Sequence, residues 1–221
     1  PLEIIYQDEH LAAIVKPAGL PVHGPNHRTL ENALAYNFSP CELPDALPWP
    51  HPAHRLDAPT SGLLLVARTR SAENRLRRAF SEREIEKTYR AVVMGKTEEQ
   101  GVFDSPIDGK PARTTFRRLQ HVPSLKNGHL SRLELHPLPG RTHQLRRHLA
   151  EAWHAILGDK EYSPEGRIFR GEGLFLCATD LRFKHPHSGE WMKLSIAEPP
   201  KFGKRMRREE QMWRRFFAKN F

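Results

Sequence analysis

The 221-residue sequence contains only two cysteines, no long apolar run and no N-terminal stretch typical of secreted proteins. Cys41 and Cys177 lack a second cysteine at ligand spacing, so neither a zinc motif nor a disulfide is expected. No segment approaches the roughly 20 apolar residues of a membrane-spanning helix. The opening Leu2–Tyr6 leads into acidic residues instead of following a basic flank. We therefore expect a cytoplasmic protein without a membrane span.

Metal-ligand spacing is also absent, although the chain has 13 histidines. The nearest pairs are His51 with His54 and His143 with His148. The second pair is five residues apart, whereas a helical ligand pair needs a spacing of four, and no carboxylate stands at motif spacing. We predict no metal and no cofactor, and we expect His143 to hydrogen-bond within its own segment.

Positive charge is what the sequence has in excess. There are 35 Lys and Arg against 26 Asp and Glu, a formal net charge of +9 at pH 7. Such a surplus favours a polyanionic partner, because basic side chains that contact phosphates release bound counterions. Many basic proteins bind nothing acidic, so charge alone leaves nucleic-acid binding open. Candidate phosphate contacts are Arg75, Arg77, Arg78 and the cluster Lys204–Arg215, for which a solvated surface is the alternative.

Hydrophobic patterning predicts a mixed α+β architecture, with residues 1–221 forming one domain. Two apolar runs within residues 2–15 predict a hairpin, and the wholly apolar Leu63–Ala67 predicts a strand buried on both faces. Residues 37–54 contain five prolines and predict an irregular loop. Further strands are predicted at Thr88–Met94, Thr114–Arg118 and Leu130–Leu135.

Three helices are predicted. Ser71 is the expected N-cap of the first, in which apolar residues recur at helical spacing as far as Phe80. Thr142 is expected to cap a second helix over about 143–152. A third, basic and amphipathic, is predicted over 204–219 and packed on the body of the protein.

The most informative segment is His54-Arg55-Leu56-Asp57-Ala58-Pro59-Thr60-Ser61-Gly62. It places a carboxylate in a turn directly before a buried strand, where loops present functional groups. An ordinary turn is the alternative, since these residue types are common turn formers. Two distant segments favour the functional interpretation, namely Lys87-Thr88-Tyr89-Arg90-Ala91 and Gly140-Arg141-Thr142-His143-Gln144-Leu145-Arg146-Arg147-His148.

Together, the three segments resemble the motifs of the RluA-like family of RNA pseudouridine synthases. The resemblance includes Lys16-Pro17-Ala18-Gly19-Leu20-Pro21-Val22-His23 and extends to Gly158-Asp159 and His185-Pro186. It implies a pseudouridine synthase catalytic fold, an α+β structure with a mixed, mainly antiparallel sheet of two subdomains flanked by helices and loops and an active-site cleft between them. It also implies isomerisation of a specific uridine in ribosomal or transfer RNA.

The resemblance assigns the catalytic aspartate to Asp57, the active-site tyrosine to Tyr89 and the basic partner of the aspartate to Arg146. A guanidinium suits that partner because it can hold a carboxylate through two hydrogen bonds and lower its pKa. Tyr89 would stack on the uracil, with proton transfer as a second role. The alternatives are a core position for Tyr89 and a solvated helix position for Arg146.

The same resemblance gives Arg55, with His54 beside it, a part in displacing the target nucleotide from the RNA stack. An ordinary surface arginine is the alternative for Arg55. Arg141, His143 and Gln144 are further residues of the third segment that belong to the family motif. Asp159 is expected to tie a loop and not to act in catalysis.

Two positions depart from the family pattern. His154-Ala155-Ile156 lacks the usual proline after histidine, and Cys177 stands where histidine is common, which places substrate fit in question but not the class of reaction. The pattern begins at residue 2, so we expect no small N-terminal RNA-binding domain of the S4 type. The catalytic body would then supply the affinity for RNA.

The sequence leaves three reaction routes open. Asp57 could attack the uracil ring, attack the anomeric carbon of the ribose, or remove a ribose proton to give a glycal. A non-catalytic RNA-binding protein or ribosome assembly factor on the same fold is the main alternative, against which intact Asp57, Tyr89 and Arg146 argue. A nucleoside hydrolase would need a second carboxylate motif, which is not evident. We expect a monomer that acts on structured RNA without an obligate protein partner.

Overall fold

The computed structural model describes residues 1–25, 27–166, 169 and 171–220. The chain forms two compact units: unit 1 comprises Pro1–Lys87 and Ala178–Ile196, and unit 2 comprises Thr88–Cys177 and Ala197–Phe221. The elements follow in the order β1 (Glu3–Gln7), β2 (Leu11–Lys16), α1 (Leu30–Leu34), β3 (Ala46–Pro52), β4 (Ser61–Thr69), α2 (Arg70–Ser81), β5 (Glu86–Met94), β6 (Gln100–Phe103), β7 (Arg113–Ser124), β8 (Gly128–Leu138), α3 (Gln144–Glu151), β9 (Leu176–Lys184), β10 (Trp191–Ser195) and α4 (Lys201–Asn220).

The predicted hairpin and the predicted buried strand form the centre of unit 1. β1, β2 and β4 lie side by side with β9 beyond β4, while β3 pairs with β4 and β10 pairs with β9. Both β2 and β4 read as apolar runs because both of their faces are covered, and Leu11–Ile14 and Leu63–Ala67 are fully buried. Helix α2 packs on β4 through Ala72 and Leu76.

Gly62 in β4 is required by a close approach of two backbones. Its φ is +125°, and a Cβ at this position would lie 2.2 Å from the carbonyl oxygen of Ala178 in β9. Only glycine tolerates both the conformation and the contact. The residue that ends the aspartate-containing segment is therefore fixed by packing.

Two local expectations for unit 1 are wrong. The N-cap of α2 is Thr69 and not Ser71, because the Thr69 hydroxyl accepts the backbone N–H of Ala72 at 3.3 Å. The proline-rich stretch expected to be an irregular loop contains β3, which pairs with β4 at both of its ends with a register irregularity between. Proline is tolerated in a strand where no ladder N–H is needed.

Unit 2 contains an antiparallel sheet in the order β5-β8-β7-β6. A short turn joins β7 to β8, and both strands are longer than the predicted Thr114–Arg118 and Leu130–Leu135. The sheet buries Val92, Val93, Leu133 and Leu135. The strand pairings described here are antiparallel, so the expected α+β class with a mainly antiparallel sheet is confirmed.

Helix α3 begins differently from the prediction. Its N-cap residue is His143, in the left-handed region at φ 53°, and no side chain caps the helix, so the expected cap by Thr142 is wrong. The Gln144 side chain instead accepts the backbone N–H groups of Gly140 and Arg141. The C-terminal segment predicted as a helix over 204–219 contains α4, which runs from Lys201 to Asn220. No helix in the described part of the chain is long and apolar enough to cross a membrane.

Candidate active site

In unit 1, the loop that contains Asp57 connects β3 to β4 and is fixed by backbone hydrogen bonds to β4 and within the loop. The backbone N–H of Ala53 donates to the Leu65 carbonyl at 2.9 Å, and that of Thr60 donates to the Asp57 carbonyl at 3.0 Å. Leu56 is buried, whereas Asp57 remains partly exposed. The carboxylate therefore projects from a backbone with little freedom to move.

Lys16, at the end of β2, is a fully buried cation beneath this loop. Its ammonium donates to the carbonyl oxygens of Pro17 at 2.9 Å, Leu20 at 2.7 Å and Ala58 at 3.2 Å. The Ala58 carbonyl also accepts the Gly19 N–H at 2.7 Å. Two groups of the Lys16–Gly19 segment thus hold the residue next to Asp57.

The charge of Asp57 affects the pKa of Lys16. Burial lowers the pKa of Lys16 to about 8, and the negative charge of Asp57 partly counteracts that decrease. The ammonium is therefore mostly charged at neutral pH. The sequence gives Lys16 no role beyond its place in a segment of the family resemblance, because a fully buried lysine has no local signature.

His54 is a neutral side chain that holds the loop in place. Its Nε2 accepts the backbone N–H of Leu65 at 3.0 Å, and its ring packs against Phe80 with 4.3 Å between ring centroids. Burial lowers its pKa to about 3, and the nearby charge of Lys87 contributes to this. A neutral imidazole has no charge with which to attract a phosphate. A role for His54 in displacing the nucleotide would therefore have to rest on its position in the loop, and it stays a prediction. Arg55 is exposed, as that role requires.

In unit 2, Arg146 is held by two carboxylates and an aromatic ring. Its Nε and Nη2 donate to the two oxygens of Asp159 at 2.7 and 2.9 Å, and Nη2 also donates to Glu161 at 2.9 Å. The guanidinium lies 4.9 Å from the ring centroid of Tyr162. Arg146 is 4% exposed, so its alternative as a solvated helix residue is wrong. The expected pairing with Asp57 stays a prediction.

Asp159 ties its loop, as expected, and also anchors the arginine. Its Oδ1 accepts the backbone N–H groups of Glu161 at 3.0 Å and Tyr162 at 3.1 Å. Burial would raise the pKa of Asp159, but the hydrogen bonds from Arg146 and from the backbone outweigh burial and hold that pKa below its usual range. The result is a fixed ion pair in which both partners are buried.

The rest of the third segment positions α3. The Gln144 side chain donates to the Arg113 carbonyl at 2.8 Å, and the His143 ring hydrogen-bonds to the Tyr162 hydroxyl at 2.9 Å. The partner of His143 therefore includes a residue outside its own segment, contrary to expectation. Arg141 contributes its backbone N–H to Gln144. Among the described residues, no group of three metal-ligating side chains stands together.

Tyr89 lies at the margin of the core of unit 2. It pairs with Leu135 across β5 and β8, and it shares a strand face with Ala91 and Val93, which are fully buried. Tyr89 itself remains partly exposed. This position leaves part of the aromatic side chain accessible to a ligand and argues against a purely core role.

Comparisons with known proteins agree with one another. Residues 10–151 match a family model described as RNA pseudouridylate synthase. The chain is 38% identical to the dual-specificity RNA pseudouridine synthase RluA of Pasteurella multocida, over 91% of this chain and 94% of that protein. It is 35% identical to tRNA pseudouridine synthase C of Vibrio cholerae, over 85% of this chain and 87% of that protein.

Two further similarities concern a longer relative and a solved structure. The chain is 40% identical to ribosomal large subunit pseudouridine synthase D of Nitrosomonas europaea, over 86% of this chain and 60% of that protein. The solved structure of human RNA pseudouridylate synthase domain containing 1 superposes with a TM-score of 0.75 at 27% identity, covering 90% of this chain and 84% of that chain.

Proposed function

This chain belongs to the RNA pseudouridylate synthase family, whose members are isomerases, and we propose that it converts a specific uridine of ribosomal or transfer RNA to pseudouridine with Asp57 as the catalytic carboxylate. The relatives named above act, by their names, on ribosomal RNA, on transfer RNA or with dual specificity. The protein acts on structured RNA, as a monomer in the cytoplasm.

The reaction is an internal rearrangement. The bond between N1 of uracil and C1′ of ribose breaks, the base turns, and a bond forms between C5 and C1′. The proton leaves C5, and N1 takes up a proton, so that no oxidant, reductant or second substrate is consumed. The protein must therefore supply a nucleophile or base and a place for the base to turn.

The observation that carries the proposal is the fixed position of Asp57 beside the buried cation of Lys16. The hydrogen bonds of Lys16 and Gly19 to the Ala58 carbonyl hold the loop on one side of the carboxylate, and the hydrogen bond between His54 and Leu65 holds it on the other. A carboxylate held in this way needs little reorganisation in the transition state. Attack on the base, attack on the ribose and removal of a ribose proton all require a carboxylate.

The remaining roles follow from the chemistry of each side chain. Tyr89 offers a partly exposed ring on which uracil can stack, and its hydroxyl assists removal of the C5 proton. Arg146 keeps a carboxylate ionised by its charge, and Asp159 and Glu161 fix the orientation of its guanidinium. Arg55 is exposed and takes the place of the displaced nucleotide in the RNA stack.

The test is to replace Asp57 by asparagine, which is nearly isosteric but lacks the negative charge. Purified protein is incubated with ribosomal or transfer RNA that carries tritium at C5 of uridine, and tritium release to water is measured. We expect Asp57→Asn to lower the rate by at least about a thousandfold while RNA affinity changes less than about threefold.

The matched control is Asp104→Asn, since Asp104 is an exposed aspartate of unit 2. It should leave the rate unchanged. Carbodiimide mapping of RNA from cells lacking the gene, complemented with either variant, identifies the modified uridine. Normal turnover by Asp57→Asn would overturn the assignment of Asp57, and unchanged mapping in cells lacking the gene would overturn the proposed activity.

A further inference from the structure

Helix α4 carries most of the net positive charge of the protein. Its twenty residues include eight Lys and Arg and two Glu, which is a net charge of +6 out of +9 for the whole chain. Both glutamates are paired within the helix, Glu209 with Arg205 at 2.8 Å and Glu210 with Arg214 at 2.6 Å. The acidic residues therefore do not neutralise the remaining basic side chains.

Three of these basic side chains form one row, which we call the basic row: Lys204, Arg208 and Arg215. They are four and seven residues apart and so share one face of the helix. All three are exposed. At 1.5 Å per residue the row is about 16 Å long, which is enough to contact several phosphates of one RNA strand.

The basic row stands on a fixed support. On the other face of α4, Phe202 and Met206 are fully buried, and Phe202 lies 5.4 Å from Phe175 between ring centroids. The Lys201 ammonium donates to the carbonyls of Glu172 at 2.6 Å and Leu174 at 2.9 Å. The first half of α4 is thus part of unit 2, and the outward direction of the row is set by packing.

The second half of α4 adds exposed aromatic and apolar side chains to this charge. From Gln211 to Ala218 no residue is buried, and Phe216 is 50% exposed. Trp213 and Phe217 contact each other at 4.5 Å between ring centroids. Aromatic rings beside arginines are the combination with which proteins bind unpaired bases and the adjoining backbone.

We propose that α4 is an RNA-binding surface formed by residues other than those that perform the reaction. The basic row contacts phosphates of the substrate RNA, and the exposed aromatic side chains contact unpaired bases. This inference rests on the proposed function for the identity of the RNA. A lipid surface is disfavoured because Phe202 and Met206 are buried in unit 2, so that the first half of α4 cannot insert apolar side chains into a membrane.

The test removes the basic row and leaves the helix intact. The variant Lys204→Gln/Arg208→Gln/Arg215→Gln keeps good helix formers at all three positions. The control variant Lys96→Gln/Lys110→Gln/Lys126→Gln removes three exposed charges from turns of the same unit. Dissociation constants for bulk transfer RNA and for protein-free ribosomal RNA are measured between 50 and 200 mM salt, the range over which phosphate contacts dominate the salt dependence.

We expect the α4 variant to reduce the slope of log Kd against log salt by about 2 to 3, because each phosphate contact contributes about 0.7 to 0.9. Affinity at 0.1 M salt should fall by about a hundredfold, whereas the control should change it by less than about threefold. The rate of tritium release at saturating RNA should stay within about twofold of that of the unmodified protein.

Three results would overturn the inference. The first is an unchanged slope of log Kd against log salt, and the second is an equal loss of RNA affinity in both triple variants. The third is an α4 variant that binds anionic phospholipid vesicles less tightly than the unmodified protein does but binds RNA equally well. The proposed function is tested separately, because it fails if the unmodified protein releases no tritium from RNA that it binds. The α4 inference fails if the variant turns over substrate with unchanged KM and unchanged affinity.

Discussion

Replacing Asp159 by asparagine removes one negative charge from beside a buried guanidinium. Asparagine retains an oxygen that can accept the backbone N–H groups of Glu161 and Tyr162. Its amide nitrogen, however, cannot accept the second hydrogen bond from Arg146. The cation then keeps only Glu161, whose side chain is 54% exposed, as its charged partner among the contacts described above.

The cost follows from how deeply the pair is buried. The side chain of Asp159 is 1% exposed and that of Arg146 is 5% exposed, so solvent does not screen the lost charge. Breaking a buried pair by removing one partner costs about 3 to 5 kcal/mol. Because Glu161 and the backbone contacts remain, we expect the lower end, about 3 kcal/mol. For a chain of this size that is a decrease in Tm of about 6 to 12 °C.

Thermal unfolding followed by circular dichroism measures this change. Glu161→Gln is the control and should cost less than about 1 kcal/mol, because its partner oxygen is exposed. The double variant Arg146→Met/Asp159→Asn should be less destabilised than the sum of the two single variants, since it leaves no unpaired buried charge. An Asp159→Asn variant as stable as Glu161→Gln would refute the reasoning.

Two further predictions concern pH. Burial would raise the pKa of Glu134, but the hydrogen bond and charge of Arg90 outweigh it and hold that pKa at about 2, so Glu134 stabilises the fold above about pH 4.5 and this contribution is lost as the pH falls towards 2. Urea denaturation at a series of pH values measures this, and Glu134→Gln should reduce the fall in the free energy of unfolding between about pH 4.5 and 2. A fall as steep as that of the unmodified protein would contradict the assignment. The Lys16 ammonium loses its proton as the pH rises through about 8, so kcat/KM should decline above that pH. The Lys16→Met variant should lack this decline. If the decline persists in the variant, Lys16 is not its origin.

Elements with a strong local pattern could be predicted from the sequence, and others could not. Leu63–Ala67 is apolar throughout, and only a strand covered on both faces explains such a run. β3 is not predicted because prolines are atypical of strands, and because β3 pairs with β4 only near its ends. The N-cap of α2 was placed two residues late because Thr69 and Ser71 are equally good caps by sequence, and backbone geometry decides between them. β9 and β10 were not predicted.

Some features of the candidate site could likewise be predicted from the sequence, and others could not. The resemblance placed Asp57, Tyr89 and Arg146, and the turn-forming character of Asp159 predicted its loop contacts. The partners of Arg146 lie 13 and 15 residues further along the chain, beyond the end of α3, where no spacing rule applies. Lys16 contacts a residue 42 positions away, and its complete burial could not be inferred from a residue type that is usually exposed.

The anchoring of the aspartate loop by Lys16 has a consequence for how this protein can vary. All three hydrogen-bond acceptors of the Lys16 ammonium are main-chain carbonyls, which every amino acid possesses. Substitutions at Pro17, Leu20 or Ala58 change the side chains but leave those oxygens available. The side chains at these three positions can therefore vary without loss of the hydrogen bonds, whereas the bonds themselves depend on a single side chain, that of Lys16.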